Sequence, residues 1–259
     1  MPPTRTTKKS NPPKRPVNPQ TDPLHHPTLR TTPTHIIFHG GLLSQWHPCP
    51  TPFRGAAALS HTLPRLTTLS IPHPPATSLT TRLLSISHFA RGEQWMMALK
   101  AWLFEHDAPS LSESDGPLSE QDLSDLHAQM LSPTSPEDPV RATLWASSMC
   151  RILRTNMPRA QKALGRKVRG FDEEVWRTAS VAVVVGGCVA RAGVDPALRR
   201  VYVAAGGRTF VEGSPRDRVW GVGLRWDGRE VEDEKNWRGE NRLGVCHGIA
   251  AEVVRTGSI

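Results

Sequence analysis

The run GEQWMMALKAWLF, residues 92 to 104, carries one acid and one base, Glu93 and Lys100, among strong helix formers. At about 100° per residue, Glu93, Met97, Lys100 and Phe104 share one stripe, while Trp95, Leu99 and Trp102 share another. Seven residues at the helical rise put roughly 10 Å between the acid and the base. A carboxylate in such a place can stabilise positive charge developing on a bound molecule, or activate a water. A lysine can hold an anion or, when desolvated and neutral, add to a carbonyl. The plainer reading of each is an acid favoured at a helix N-terminus and a solvated lysine.

Further along, RTFVEGSPRDRVWGVGLRWDG at 208 to 228 mixes charges and glycines that neither a buried strand nor a buried helix can use, so it is expected as a surface loop lining something. In it Trp220 offers a flat face for stacking and Asp217 a hydrogen-bond acceptor. Gly213, Gly221 and Gly223 allow close backbone approach, and Glu212 reads as ordering the loop. NWRGENRLG at 236 to 244 supplies Asn241 and Arg242 between Gly239 and Gly244, a second polar wall with a guanidinium suited to a phosphate. LSQWHPCPTPF at 43 to 53, a loop by its three prolines, brings Ser44, Gln45 and Trp46. Arg166 and Lys167 in LGRKVRG could add positive charge, although solvated basic residues fit equally well.

The elements that must hold these residues are mostly helices. Beyond 92–104, helical patterns are expected at 142–153, at PRAQKALGRKVRG closed at Gly165 or Gly170, over 171–192 with Asp172 as N-cap, at 195–205 with Pro196 in its first turn, and at 245–254. THIIFHGG and RTFVE read as short strands. Residues 1–33 read as a disordered basic tail rich in Pro and Thr, 34–255 as one domain, and 54–87 and about 105–140 as insertions, the first loosely ordered. The fold class that follows is α+β, a mainly helical single domain.

The net charge of +8 is unevenly placed: +5 in residues 1–35, −9 in 105–138, and +12 in the rest. A body that basic suits an anionic, nucleotide-like small molecule or a nucleic acid, with a merely soluble basic surface as the alternative. Cys49, Cys150, Cys188 and Cys246 are too scattered for a zinc site or a disulfide framework, and no metal or other cofactor is expected. No apolar run reaches the length of a membrane span, the longest candidate being SVAVVVGGCVA at 180–190, so no membrane partner is expected. Reduced thiols point to the cytoplasm, with KKSNPPKRP a weak nuclear address. The oligomeric state is not legible.

In order, LSQWHPCPTPF, EQWMMALKAWLFEHD, QKALGRKVRGFDEEVW, FVEGSPRDRVWGVGL and NWRGENRLG resemble the NADAR family, named for its association with NAD and ADP-ribose. The likeness runs through most of residues 36–255. It implies a compact, mainly helical α+β domain and a hydrolase of N-glycosyl bonds that needs no metal. The substrates it implies are ribosylamino-pyrimidine phosphates of the riboflavin pathway or ADP-ribosylated guanine, the latter extending to ADP-ribosylated nucleic acid. On that resemblance Glu93, Lys100 and Asp217 are the catalytic candidates, and Ser44, Gln45, Trp46, Trp220, Gly221, Asn241 and Arg242 the substrate-binding ones. The chain departs from the pattern at Gly92 and Gln94, where the family has serine and histidine. It departs again at Arg191 and Ala192, where the family has Lys-Phe, and at Ala205 to Gly207 before the strand. These departures leave a non-catalytic ADP-ribose or nucleotide binder as the alternative, and nucleic-acid binding through the basic tail and body as a third reading.

Overall fold

Four β-branched or aromatic-rich residues, His35–Phe38, form a strand with every side chain buried, and it is the middle of the main sheet. In this computed structural model, which describes residues 22–105 and 118–257, that strand (β2) pairs antiparallel with β1, Leu29–Thr31, and parallel with β5, Thr209–Glu212. The register sets Phe38 opposite Glu212, so the last residue of β5 stands at the sheet end where β2 gives way to the loop that follows it. Alternation along the strands divides the apolar side chains between two faces. Ile36, Phe38 and Phe210 join the main helical core, whereas Ile37 and Val211 join Val222, Leu224 and Val231 beneath the loop after β5. A second, two-stranded sheet pairs β3, Phe53–Arg54, with β4, His88–Phe89.

Between β2 and β5 the described residues form nine α-helices: α1 Gly55–Thr68, α2 Leu79–Ile86, α3 Gly92–Phe104, α4 Glu120–Leu131, α5 Pro139–Ala146, α6 Ser148–Leu153, α7 Pro158–Gly165, α8 Glu173–Val194 and α9 Pro196–Ala204. The last helix, α10 Arg242–Thr256, packs on β5, α8 and α9. The protein is thus a mainly helical α+β domain.

The hub is α8. Asp172 caps it by accepting from Val175 N–H at 3.0 Å. Its two mid-helix glycines are there for close packing: a Cβ at Gly186 would lie 2.0 Å from Thr62 Oγ1 of α1, and one at Gly187 2.6 Å from Trp95 Cδ1 of α3. Contrary to the sequence expectation, α8 is long and apolar enough to cross a bilayer by length and composition alone. Its apolar surface is covered by α1, α3 and α10, with 72% of the relevant window buried.

Two expectations about order change. Residues 54–87 are not loosely ordered; they form β3, α1 and α2, and α1 lies along α8. Gly55, Ala58, Leu59, Thr62 and Leu66 make its buried stripe at helical spacing, which Pro64 and the threonines obscure in the sequence. Thr62 and Thr68 satisfy their hydroxyls by donating to the carbonyls four residues back. Of the tail, residues 1–21 with the basic address lie outside the described residues, but 22–33 include β1. Of the acidic stretch, 106–117 lie outside the described residues, and α4 follows with a Ser119/Asp122 capping box. The expected helix over 142–153 is divided at Ser147, whose hydroxyl caps α6 by accepting from Cys150 N–H. All four cysteines are buried free thiols.

Candidate functional site

α3 is buried on nearly all sides, so Glu93 does not sit at an exposed helix start. Trp95 Nε1 donates to Val183 O of α8 at 2.8 Å, and Met97 fills the space beside Gly165 of α7, where a Cβ would lie 2.0 Å from its sulfur. With α3 clamped between α7 and α8, Glu93 faces the loop 44–46. Its backbone N–H donates to Gln45 O at 2.9 Å, and Trp46 Nε1 donates to its Oε2 at 3.2 Å. Oε1 is buried without a hydrogen-bond partner. Glu93 is 3% exposed, and burial pushes its carboxyl up to about 7, against the opposing pull of Lys162, the Trp46 donor and Arg166, with Asp217 adding to the rise. Gly92 is explained by the same contact, because a Cβ there would lie 1.9 Å from Gln45 Oε1.

A second carboxyl, half-buried but with one oxygen fully buried, lies at the end of β5. Glu212 Oε2 has no partner, and burial first, then the Asp217 charge, raise its carboxyl to about 7, with Lys162 pulling the other way. Its place is set by Asn241, which sits in the left-handed region at φ 54° just before α10. The Asn241 side chain accepts from Glu212 N–H at 3.0 Å and donates to Phe210 O at 2.8 Å. Gly244 leaves room for this, since a Cβ there would come within 2.5 Å of the Asn241 amide. Asn241 is therefore a positioning residue rather than a wall of the pocket. Replacing Asn241 with Ala leaves a buried donor and acceptor of β5 unpaired and a Cβ-bearing residue at positive φ. A loss of about 3 kcal/mol in denaturant unfolding is expected, with Asn241→Gly recovering only the backbone part.

Asp217 is fixed by its own loop, Oδ1 accepting from Val219 N–H at 3.0 Å and Trp220 N–H at 2.8 Å. As a held negative charge it acts on both glutamates. Trp220 is partly buried against the core, and its backbone carbonyl accepts from Leu243 N–H. Gly221 is buried, and its carbonyl accepts from Asn241 N–H at 3.3 Å, so it joins the two loops.

Positive charge comes from α7. Lys162 and Arg166, one turn apart, both bear on Glu93, and neither is within ion-pair distance of a described carboxylate. Lys167, its neighbour in the sequence, is absent from the charges that bear on Glu93 or Glu212. Lys100 is held elsewhere. Its Nζ lies 3.7 Å from the Phe171 ring centroid and 5.8 Å from that of Trp176, an aromatic seat in which burial lowers its pKa. The structure thus does not bring Lys100 into the charge environment of Glu93. Arg242 is likewise engaged, with Nε donating to Glu240 at 2.8 Å and NH1 to Arg177 O at 2.9 Å.

The loop carrying Ser44, Gln45 and Trp46 is braced from below. Arg191, 1% exposed, donates to Ser44 O at 3.0 Å and Leu42 O at 2.7 Å. His247 Nε2 meets Leu43 O at 2.7 Å, and its Nδ1 meets Tyr202 Oη at 2.7 Å. Burial lowers the His247 pKa to about 3, so this imidazole is a neutral structural link. Ser44 Oγ accepts from Trp46 N–H at 3.1 Å, and Gln45 Nε2 donates to Cys188 Sγ at 3.6 Å. Gln94, at a point of departure from the family pattern, donates to Leu153 O at 3.0 Å and so ties α3 to the end of α6. Among the described residues no group of three or more His, Cys, Asp or Glu could hold a metal ion.

The sequence reading missed Glu212 as a member of the site, Lys162 as a source of charge and Arg191 as a brace. Lys162 was detectable, because it lies four residues before Arg166 in a recognised helix. For Glu212 the signal was only its position at a strand end before a glycine-rich loop.

Comparison with known proteins covers part of the chain. Residues 141–248 match the NADAR domain model, which spans α7, β5, the loop after it and Asn241, while α3 with Glu93 precedes the match. The chain is 35% identical over 96 residues to Protein irg-1 of Caenorhabditis elegans, covering 36% of this chain and 45% of that protein. It is 35% identical over 83 residues to N-glycosidase R617 of Acanthamoeba polyphaga mimivirus, covering 32% of this chain and 49% of that protein. The matched stretches span a little under half the length of each relative.

Proposed function

We propose, from the premise that residues 141–248 carry a NADAR domain, that the chain hydrolyses the N-glycosidic bond of a ribosyl-phosphate or ADP-ribosyl substrate. The observation that carries this reading is Glu93. It is a buried carboxyl with one unpartnered oxygen, poised near neutral pH, beside two cations that no described carboxylate engages. Departure of a nitrogen base leaves positive charge on the sugar, and a carboxylate at that point stabilises the charge and takes a proton from the attacking water. Lys162 and Arg166 would hold the phosphate, and the exposed Trp46 ring, 44% accessible, offers a surface for the base. The name of the mimivirus relative supports the reaction class, and its partial coverage leaves the substrate a proposal.

The test is mass-spectrometric product analysis of ADP-ribosylated guanosine and a ribosylamino-pyrimidine phosphate incubated in parallel with the protein. Release of free base or of ADP-ribose from one of them supports the reading and names the substrate. Retention of both intact, with tight binding of either, favours the non-catalytic binder. Guanine ADP-ribosylated within a nucleic acid is the natural extension of the first outcome, and the same assay on a modified oligonucleotide decides it.

Trp46 gives a sharper prediction. Its Nε1 favours the ionised form of Glu93, so Trp46→Phe is expected to raise the carboxyl pKa further. The acidic limb of the activity profile should move up by about one pH unit, equivalent to one hydrogen bond to a charged group. An unmoved limb would show that the Trp46 donor has no hold on the titrating group.

A further inference from the structure

We infer that Glu212, which stands beside Phe38 where the chain enters the loop that carries Trp46 to Glu93, is the proton donor to the departing base, with Glu93 as the group that activates water. This rests on the N-glycosidase reading. The two carboxyls come from different elements, Glu93 from the first turn of α3 and Glu212 from the last residue of β5, and each has a buried oxygen without a partner. Their surroundings differ in sign. Around Glu93 stand a donor, Trp46 Nε1, and the cations Lys162 and Arg166, all of which favour the anion. Glu212 accepts no side-chain hydrogen bond among the described residues, and the charge that bears on it most is the anion Asp217, with Lys162 weaker. Burial raises both carboxyls alike, and what separates them is that a side-chain donor and two cations ease ionisation of Glu93 whereas Glu212 has no side-chain donor and an anion bearing on it; the two duties are assigned on that asymmetry.

Asp217 is suited to its part because two backbone N–H groups hold its Oδ1 and so fix the carboxylate in place. Asn241 grips the Glu212 backbone, which makes the position of the donor part of the fold. In the reaction the C1′–N bond breaks with its electron pair going to the base nitrogen, and Glu212 delivers its proton to the base. The oxygen of a water bonds to C1′ while Glu93 takes the proton that water gives up. One water is consumed, free base and free ribosyl group leave, and proton exchange with solvent returns the proton from Glu93 to Glu212. Since both carboxyls are raised to about 7, the productive state with one proton on the pair is confined to a window around neutral pH. Activity is lost below it as Glu93 protonates and above it as Glu212 ionises.

The experiment compares wild type, Glu212→Gln and Glu93→Gln on whichever nucleobase substrate wild type cleaves and on p-nitrophenyl ribofuranoside 5-phosphate, whose leaving group departs as an anion without protonation. Glu212→Gln is expected to lose about 10²- to 10³-fold on the nucleobase substrate and little on the p-nitrophenyl one, and to lose the alkaline limb of kcat/KM. Glu93→Gln is expected to fail on both. Equal losses by Glu212→Gln on the two substrates, or an alkaline limb that persists in that variant, would overturn the assignment. If the p-nitrophenyl compound is not turned over, the alkaline limb alone decides. A wild type inactive on every substrate would instead sink the glycosidase reading itself, so the two failures are distinct.

Discussion

Glu93→Gln is expected to cut turnover severely while making the protein more stable, and to do the second increasingly as pH rises above about 5. The carboxyl is raised from an ordinary value of 4.5 to about 7, chiefly by burial. Below pH 4.5 it is protonated in both folded and unfolded chains and costs nothing. As pH rises through 4.5 the unfolded chain ionises while the folded one resists, so stability falls until pH passes about 7, where the full cost is reached. At 1.36 kcal/mol per pH unit the cost approaches about 3 kcal/mol, and a neutral isostere removes it. Thermal unfolding at pH 8 should therefore show Glu93→Gln melting roughly 6 °C or more above wild type, with the gap nearly closed at pH 5. Activity should fall by about 10²- to 10⁴-fold. A variant that melts lower than wild type at pH 8, or whose melting difference does not change with pH, would contradict the burial of this carboxyl as the source of its raised pKa. Stability surrendered at a buried carboxyl whose desolvation its donor and two cations only partly offset is what an active site requires.

Arg191→Met is expected to act in the opposite direction, destabilising strongly. The guanidinium donates to two loop carbonyls and lies 3.7 Å from Asp195 Oδ2, and both charged groups are 2% exposed or less. Methionine fills much of the volume but leaves Leu42 O without its donor, Ser44 O with only His47 N–H at 3.2 Å, and Asp195 buried without its counter-charge. Breaking one side of such a pair costs about 3–5 kcal/mol, or roughly 10 °C in this size range. Because the bonded carbonyls belong to the loop that presents Gln45 and Trp46 to Glu93, kcat should fall as well, even at temperatures where the variant is folded. Arg191→Lys keeps the charge beside Asp195 and should recover more than half of the lost stability. A methionine variant as stable as wild type would show that the brace is dispensable.

Much of the fold was legible because its helices announce themselves. The α3 boundaries follow from GEQWMMALKAWLF, α8 from its Asp172 cap and α9 from Pro196 at its first turn. What hid α1 was composition: its buried stripe uses Gly55, Ala58 and Thr62, small or polar residues that read as loop until they are seen against the glycines of α8. The site divides in the same way. Glu93 and Trp46, singled out in separate motifs, are brought together by a hydrogen bond, and the Asp217 charge bears on Glu93. Lys100 shares the helical stripe with Glu93, yet two turns of helix carry it to the Phe171 and Trp176 rings, which a sequence stripe cannot reveal. Asn241 and Arg242 looked like ligand-binding polar residues, and tertiary contacts engage them instead with β5, Glu240 and α8. Glu212 became visible only once β5 set it beside Phe38 at the entry to the loop that carries Trp46, whereas Lys162 was readable from its place one turn before Arg166.

The central claim is that water is added to the sugar carbon with the help of the Glu93 carboxylate, and isotopic labelling tests it most directly. The reaction is run in H₂¹⁸O with wild type and Glu93→Gln, and the released ribosyl product and base are weighed by mass spectrometry. The account predicts one ¹⁸O in the ribosyl product, none in the base, and neither product from the variant. Label in the base, or equal turnover by Glu93→Gln, would contradict it.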